Sequence, residues 1–358
     1  MPTKPIPNDE ILRRFKALKK AGGNISAAAK AVGVKRSTIR NMIKRYKPPA
    51  DDALEFPEFP PEYLPIDRLI DRLKEQSSIK KASFDAHTWF PVKVKDDLPI
   101  GIMWFGDPHV DDNGCDWNLL SRHVELCHQP GVYGVNIGDT TNNWFGRLAS
   151  KYANQDTSVS TARRLAAWFM LESGVKWLLT LVGNHDGWGD GAAILAEMAK
   201  RHGTQKVVLH DWEARFSLNF SNGTVINVWA AHDFPGDSQW NPLHGPVKAA
   251  RFGPDVDLLV CGHKHNWGIS QWELADKGTS PVMIRTRGYK FNDDYARRIG
   301  KQDQKAGSSI FTVIDPNGPT RESRIIPFVD VERGVEYLQW LREKYVISPQ
   351  KKRTKRAA

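Results

Sequence analysis

The sequence predicts a layered α/β domain preceded by a small all-α module, on three observations. Five apolar runs, residues 100–105, 132–137, 177–182, 225–231 and 258–261, have the length and near-continuous apolarity of strands buried on both faces. Each run stops at a short polar motif, which is where layered α/β folds gather ligands, just beyond the carboxyl ends of strands. Residues 1–47 instead carry apolar residues at helical spacing. Charge separates the two regions: the chain carries +10 overall, residues 1–47 carry +11 and residues 350–358 carry +5, so residues 48–349 carry −6. One basic module and one basic tail on an acidic body form an electrostatic footprint for nucleic acid.

In the amino-terminal module, residues 8–20 read as an amphipathic helix with Asn8 as a candidate N-cap and Ile11, Leu12, Phe15 and Leu18 on its apolar face. Gly22-Gly23 ends it. Residues 25–31 give a short alanine-rich helix, Val32-Gly33-Val34 a tight turn, and residues 36–46 a third helix rich in Arg and Lys. Alanines allow close helix packing, and Gly33 suits the left-handed conformation of the turn. The stretch from Asn24 to Arg40 resembles helix-turn-helix DNA-binding domains of the Fis and resolvase kind. That resemblance implies a third helix in the major groove, with Lys35, Arg36, Ser37, Thr38, Arg40, Asn41 and Lys44 as candidate base or phosphate contacts, and DNA as partner. A protein-interaction bundle with solvated lysines is the alternative.

The motifs at the strand ends are Asp107-Pro-His109, Gly138-Asp139, Gly183-Asn184-His185-Asp186, His232 and Gly262-His263-Lys264-His265. Carboxylate and imidazole without thiolate favour borderline-to-hard divalent ions over a closed structural zinc site. A carboxylate shared between two ions holds them about 3.5–4 Å apart in hydrolytic two-metal sites, and Asp139 is the candidate bridge. Such a pair supplies hydroxide near neutral pH by lowering the pKa of water towards about 7. A histidine that is not a ligand then suits the leaving oxygen.

Together, in this order, the motifs resemble the calcineurin-like metallophosphoesterase superfamily over residues 98 to 320. The resemblance implies a four-layer sandwich of two mixed β-sheets flanked by helices, and two divalent metal ions, Mn²⁺ favoured with Fe²⁺, Zn²⁺ or Ni²⁺ as alternatives. Asp107, His109, Asp139 and His265 would hold one ion; Asp139, Asn184, His232 and His263 would hold the other; His185 would be the catalytic histidine. His244, a short loop after His232, stays open as an alternative to it or as a substrate contact. Asp186 reads as a helix cap or a partner behind the ligands. Lys264 is expected to point away from the ions.

One departure bears on substrate. Many phosphatases of the superfamily place a carboxylate three residues after the bridging aspartate, where this chain has Asn142. Asn142 would orient His185 by a hydrogen bond without supplying charge. This shifts the expectation from protein phosphatase to a phosphodiesterase or nuclease acting on DNA. The alternatives are a phosphomonoesterase or protein phosphatase addressed by its helix-turn-helix, and a non-catalytic DNA-binding regulator.

The expected organisation is a helix-turn-helix domain at 1–47, a proline-rich linker at 48–65, a lead-in at 66–97 with a short helix at 66–74, a catalytic domain at 98–330, a helix at 331–345 and a basic tail at 346–358. The linker composition favours a stiff, extended connection. No apolar stretch approaches the roughly 20 residues that span a bilayer, and no secretory signal is read at the start. Cys115, Cys127 and Cys261 form no spaced pair, so a reducing cytoplasm is expected. Among 13 tryptophans, Trp144, Trp188, Trp240 and Trp267 fall close to the motifs and are candidates for base stacking. Arg147, Arg163, Arg164, Arg285 and Arg287 are candidates for phosphate contacts.

Overall fold

The computed structural model describes residues 6–48, 62–87, 89–201, 209–291 and 309–347. Most of the expected linker and nearly all of the expected basic tail lie outside the described residues. The chain divides into two compact units, Met1–Lys74 and Glu75–Ala358.

In the first unit, α1 (Asn8–Lys20), α2 (Ile25–Val32) and α3 (Arg36–Arg45) form the trihelical module. Ile11, Phe15 and Met42 make its apolar centre, while Ile39 and the close-packing Ala28 and Ala29 are also buried. Leu12, expected on that face, is exposed. Pro7, not Asn8, precedes the first helical turn, and no side chain caps it. Asn24 does cap α2, its Oδ1 accepting from the amides of Ser26 and Ala27 at 3.0 and 3.1 Å. Gly33 ends α2 with φ of 71°, and the Val34 amide closes back on the Ala29 carbonyl at 3.0 Å, a left-handed exit that sets the angle between α2 and α3.

Helix α4 (Ile66–His87) is far longer than the short helix expected at 66–74 and runs through the boundary between the units. Ile66, Leu69, Ile70 and Leu73 on it are exposed, so the apolar spacing marks an unburied helix.

The second unit contains two six-stranded mixed sheets. Strands β1 (Phe90–Lys93), β2 (Ile100–Phe105), β3 (Val132–Asn136), β4 (Trp177–Val182), β5 (Leu209–Asp211), β6 (Glu213–Asn219), β7 (Val225–Ala231), β8 (Leu258–Cys261), β9 (Gly268–Gln271), β10 (Val282–Arg285), β11 (Ile310–Ile314) and β12 (Ile325–Phe328) follow in chain order. They alternate with α5 (Trp117–Leu126), α6 (Val159–Ala167), α7 (Gly191–Arg201), α8 (His244–Phe252) and α9 (Val331–Ile347). One sheet has the order β1-β6-β7-β8-β10-β9, the other β12-β11-β2-β3-β4-β5. Within them β2, β3, β4 and β5 are mutually parallel, as are β7, β8 and β10.

Three apolar clusters order the layers. Ile102, Trp104, Val135, Ile137, Leu179 and Leu181 of one sheet pack against Phe216, Val228, Ala230, Val260 and Ile284 of the other. The outer face of the first sheet, with Met103, Phe105 and Phe311, is covered by Leu120 and Val124 of α5 and Leu338 and Leu341 of α9. The outer face of the second, with Leu259, Cys261 and Met283, is covered by Ala250 of α8. This is the expected four-layer sandwich of two mixed sheets, with the expected strands in place, and α9 extends two residues beyond its expected end.

His123, in the last turn of α5, is buried with its Nδ1 2.7 Å from the Tyr289 hydroxyl. Burial pushes its pKa down to about 4, against the opposing charges of Glu332 and Asp116. The unfolded chain therefore takes up this proton below about pH 6.5 while the folded chain does not, so stability is lost as pH falls from there towards the folded value. At pH 5 the loss is about 2 kcal/mol. Urea unfolding at pH 7 and pH 5 is expected to show that much less pH sensitivity in His123→Phe than in the wild type; equal sensitivity refutes a buried neutral imidazole.

Candidate metal centre

Three neighbouring strands of one sheet and two of the other deliver the site. Asp107 and His109 follow β2, Asp139 follows β3, Asn184 and His185 follow β4, His232 follows β7, and His263 and His265 follow β8. Backbone bonds lace the loops together: the His109 amide donates to the Asp139 carbonyl at 3.0 Å and the Gly262 amide to the His232 carbonyl at 3.0 Å. The carboxylates take part as well. The His263 amide donates to Asp107 Oδ2 at 2.7 Å, and the His185 amide to Asp139 Oδ1 at 2.8 Å.

The loops turn sharply to do this. Asp107, His109, Asp139, His263 and His265 all have positive φ, between 40° and 68°, a conformation that costs non-glycine residues and persists where surrounding structure enforces it. The glycine before Asn184 makes room: a Cβ at Gly183 would sit 2.2 Å from Asp139 Oδ1 and 2.8 Å from the His232 ring.

The donor atoms fall into three linked groups, each with its atoms within 4.8 Å of one another: Asp107 with His109 and His265; Asp139 with His232 and His263; and His109 with Asp139 and His185. Asn184 Oδ1 joins the second group, 2.9 Å from His232 Nε2. The set fits divalent cations on two counts. Asp107 Oδ1 and both ring nitrogens of His109 are buried without hydrogen-bond partners, a cost of about 1–3 kcal/mol each unless something else binds them. Around His232 Nε2 stand Asn184 Oδ1 at 2.9 Å, His263 Nδ1 at 3.1 Å and Asp139 Oδ2 at 3.4 Å, more electron-pair donors than one hydrogen can serve. His232 Nδ1 donates to the Ile137 carbonyl at 2.9 Å, which leaves Nε2 with a free lone pair in the neutral ring.

Without cations the charges compensate one another. Burial drives the Asp107 carboxyl up to about 7, with the Asp139 charge adding to it and His232 opposing. Burial also disfavours the Asp139 anion, but the charge and hydrogen bond of His232 outweigh it and hold this carboxyl well below the usual range. Burial alone would lower His232; Asp139 and Asp107 instead raise it to about 9. Burial holds the His109 imidazole far below its ordinary value.

His185 lies beside this set. Its Nδ1 donates to the main-chain carbonyl of Asn142 at 2.6 Å and its Nε2 is 4.0 Å from Asp139 Oδ2. The ring is walled by Trp188 at 4.2 Å, His109 at 5.0 Å and Trp144 at 5.4 Å between centroids. The expected role of the Asn142 side chain is therefore corrected. Its Nδ2 donates to Asp112 Oδ2 at 2.8 Å and Gln155 Oε1 at 3.2 Å, and the backbone, available to any residue, holds His185.

Other expected residues are placed as follows. Asp186 is buried and accepts from the amides of Thr140 and Gly183 at 3.0 and 3.1 Å, with its carboxyl driven up to about 7 by burial and by the Asp139 charge. His244 opens α8, exposed and outside all three donor groups, whereas His232 belongs to one of them. Lys264 reaches the Gly236 carbonyl and Asp237, each at 2.9 Å. Arg285, considered for phosphate, is wholly buried and spent on the Pro242 and Gly262 carbonyls and on Asp233. Trp144 is buried, its Nε1 donating to Gln155 Oε1 at 2.7 Å, while Trp240 and Trp267 are exposed.

Sequence reasoning passed over several members of the site. Asp111 accepts from the Asn142 amide at 2.7 Å, and Lys290 stands 3.4 Å from Asp112. Asn143 (φ 38°) donates to the His185 and Trp188 carbonyls at 2.8 and 2.9 Å. The doubled Asn142-Asn143 after the aspartate was a signal for it, since Asn tolerates the left-handed region. Trp212 (φ 58°) had no such signal.

In the amino-terminal unit, Lys35, Arg36, Ser37, Arg40, Asn41 and Lys44 are exposed on α3 or at its start; Thr38 is half-buried and its amide closes on the Lys35 carbonyl at 2.8 Å.

Residues 16–46 match the family model described as "Bacterial regulatory protein, Fis family". No curated protein matches the chain. Among solved structures, a chain described as "GAP50 the anchor in the inner membrane complex of Plasmodium" is similar at 10% identity and a TM-score of 0.31, over 67% of this chain and 95% of that one. Among the described residues, no helix is long and apolar enough to cross a membrane.

Proposed function

We propose that the chain is a two-metal phosphoesterase acting on phosphodiesters of nucleic acid, with its helix-turn-helix as a DNA-binding module. The observation that carries the catalytic reading is the place of Asp139, which belongs to the His232–His263 group and also to the group containing His109, itself joined to Asp107 and His265. Asp107, His109, Asp139 and His265 would hold one ion and Asp139, Asn184, His232 and His263 the other, Mn²⁺ being favoured. Bound there, two such ions polarise a phosphoryl oxygen and activate water at neutral pH.

The chain's own residues do the rest. The Asn142 carbonyl fixes the His185 tautomer, so Nε2 faces the cleft, giving a proton to the leaving oxygen when protonated and taking one when neutral. The Trp188 and Trp144 rings limit its rotation. Main-chain groups hold Asp107 Oδ2, Asp139 Oδ1 and His232 Nδ1 before substrate arrives, so little reorganisation of these residues is needed in reaction.

A second reading, phosphomonoester hydrolysis, stays open on one finding: because a backbone carbonyl holds His185, the missing carboxylate at Asn142 does not discriminate against it. Incubation with Mn²⁺ and labelled single strand, labelled duplex, bis-p-nitrophenyl phosphate or p-nitrophenyl phosphate separates the two. Cleavage of diesters is expected. Turnover of the monoester alone selects the second reading, and no hydrolysis with any divalent metal leaves a DNA-binding regulator.

DNA binding rests on the family match and on the exposed cations of α3. The full chain with Lys35, Arg36 and Arg40 all changed to Ala is expected to bind duplex DNA more weakly, with the slope of log affinity against log salt reduced by about 2–3. Titration by fluorescence anisotropy between low and physiological salt reads this; an unchanged slope places the contacts elsewhere.

A further inference from the structure

Seven described residues other than glycine have positive φ; five are proposed ligands, a sixth is Asn143 behind His185, and the seventh is Trp212. A left-handed backbone at a large aromatic residue is disfavoured, and such conformations cluster where function keeps them. Trp212 is the single residue between β5 of one sheet and β6 of the other. Its amide donates to the Val182 carbonyl at the end of β4, and its carbonyl accepts from the His232 amide at 2.7 Å, at the end of β7. The turn thereby clasps two ligand-bearing strand ends and fixes the direction of its side chain.

That side chain meets the donor set. The indole lies edge-on to the His232 ring at 5.1 Å between centroids and 6.4 Å from the His263 ring, yet remains 39% exposed. Here a partly exposed ring stands beside the group in which Asp139, His232 and His263 meet.

We propose that Trp212 is a binding residue for an unstacked nucleobase next to the scissile phosphate. The proposal rests on the phosphodiester reading above and sharpens it. A base inside an intact duplex keeps its faces against its neighbours and offers none to an indole, so the strand engaged at this centre is single-stranded or locally opened. Stacking accepts any base, so Trp212 confers selection for a base without selection of sequence.

The test compares two single-stranded substrates with the same phosphate backbone, one of thymidines and one with abasic tetrahydrofuran sites flanking the central linkage, in Mn²⁺ with the full chain. Wild type is expected to favour the thymidine strand in kcat/KM by about 5- to 150-fold, the equivalent of about 1–3 kcal/mol per stacked base. In Trp212→Leu the ratio falls to near one, and in Trp212→Phe most of it returns. A wild-type ratio near one overturns the proposal without any variant, as does a ratio unchanged in Trp212→Leu. Quenching of a 2-aminopurine base in a single strand needs no turnover and decides separately. Stronger quenching by wild type than by Trp212→Leu supports stacking even if no diester is hydrolysed, the outcome that defeats the diesterase reading; equal quenching overturns the proposal.

Discussion

Replacing Asp139 by Asn is expected to abolish hydrolysis, by on the order of 10³-fold or more, while DNA affinity through the helix-turn-helix stays at its wild-type level. The substitution keeps shape and removes charge. Asp139 is buried, yet it is held ionised by His232 against the cost of burial, so the fold commits a full negative charge to this point. An asparagine oxygen can still accept from the His185 amide now 2.8 Å from Oδ1. Its NH₂ would then face His232 Nε2, 3.4 Å from the present Oδ2, and carry no lone pair for a cation. Two dications held at this point would repel each other with less compensation, so occupancy is expected to fall as well as rate. Hydrolysis of bis-p-nitrophenyl phosphate, metal content by mass spectrometry and anisotropy with duplex DNA read the three effects apart. Activity within tenfold of wild type would remove Asp139 from the centre of the proposal.

Much of this architecture is legible in the sequence because the strands that build it are buried on both faces. Such strands leave unbroken apolar runs, and a polar motif follows each run directly, so the five strand ends and the seven residues proposed as ligands lie in plain view. The helix-turn-helix is legible for a related reason: the alanines of α2 and the left-handed Gly33 are local requirements of tight helical turns. What escapes is whatever depends on direction or on distant partners. Asn142 shows the limit, since sequence gives the side chain while the structure uses the carbonyl. Arg285 shows it again: a cation near ligands reads as a phosphate contact until its carbonyl partners and Asp233 are seen to enclose it. Helix α4 misled through its length, because a helix needs no buried face to continue. Trp212 was invisible because its importance lies in a backbone angle and in which two sheets its neighbours join.

Removing the imidazole with His185→Ala is expected to lower turnover by about 10²–10⁴-fold on a nucleic-acid diester while both metals stay bound. The reason lies in what each part of this residue does. Its amide supports the carboxylate proposed as the bridge, through Asp139 Oδ1, and the variant keeps that amide. Its ring is held at Nδ1 by the Asn142 carbonyl, so only Nε2 is lost to the cleft. A sugar alkoxide is a poor leaving group and needs the proton that Nε2 would give, whereas p-nitrophenolate leaves without one. The defect should therefore shrink sharply on bis-p-nitrophenyl phosphate, a dependence on leaving group that general disruption of the site would not produce. Metal analysis closes the argument. His185 shares a donor group with His109 and Asp139, so the same ring is also within reach of a ligand role. If the variant loses an ion and fails equally on both substrates, His185 is a ligand, and the proton must come from another group facing the cleft.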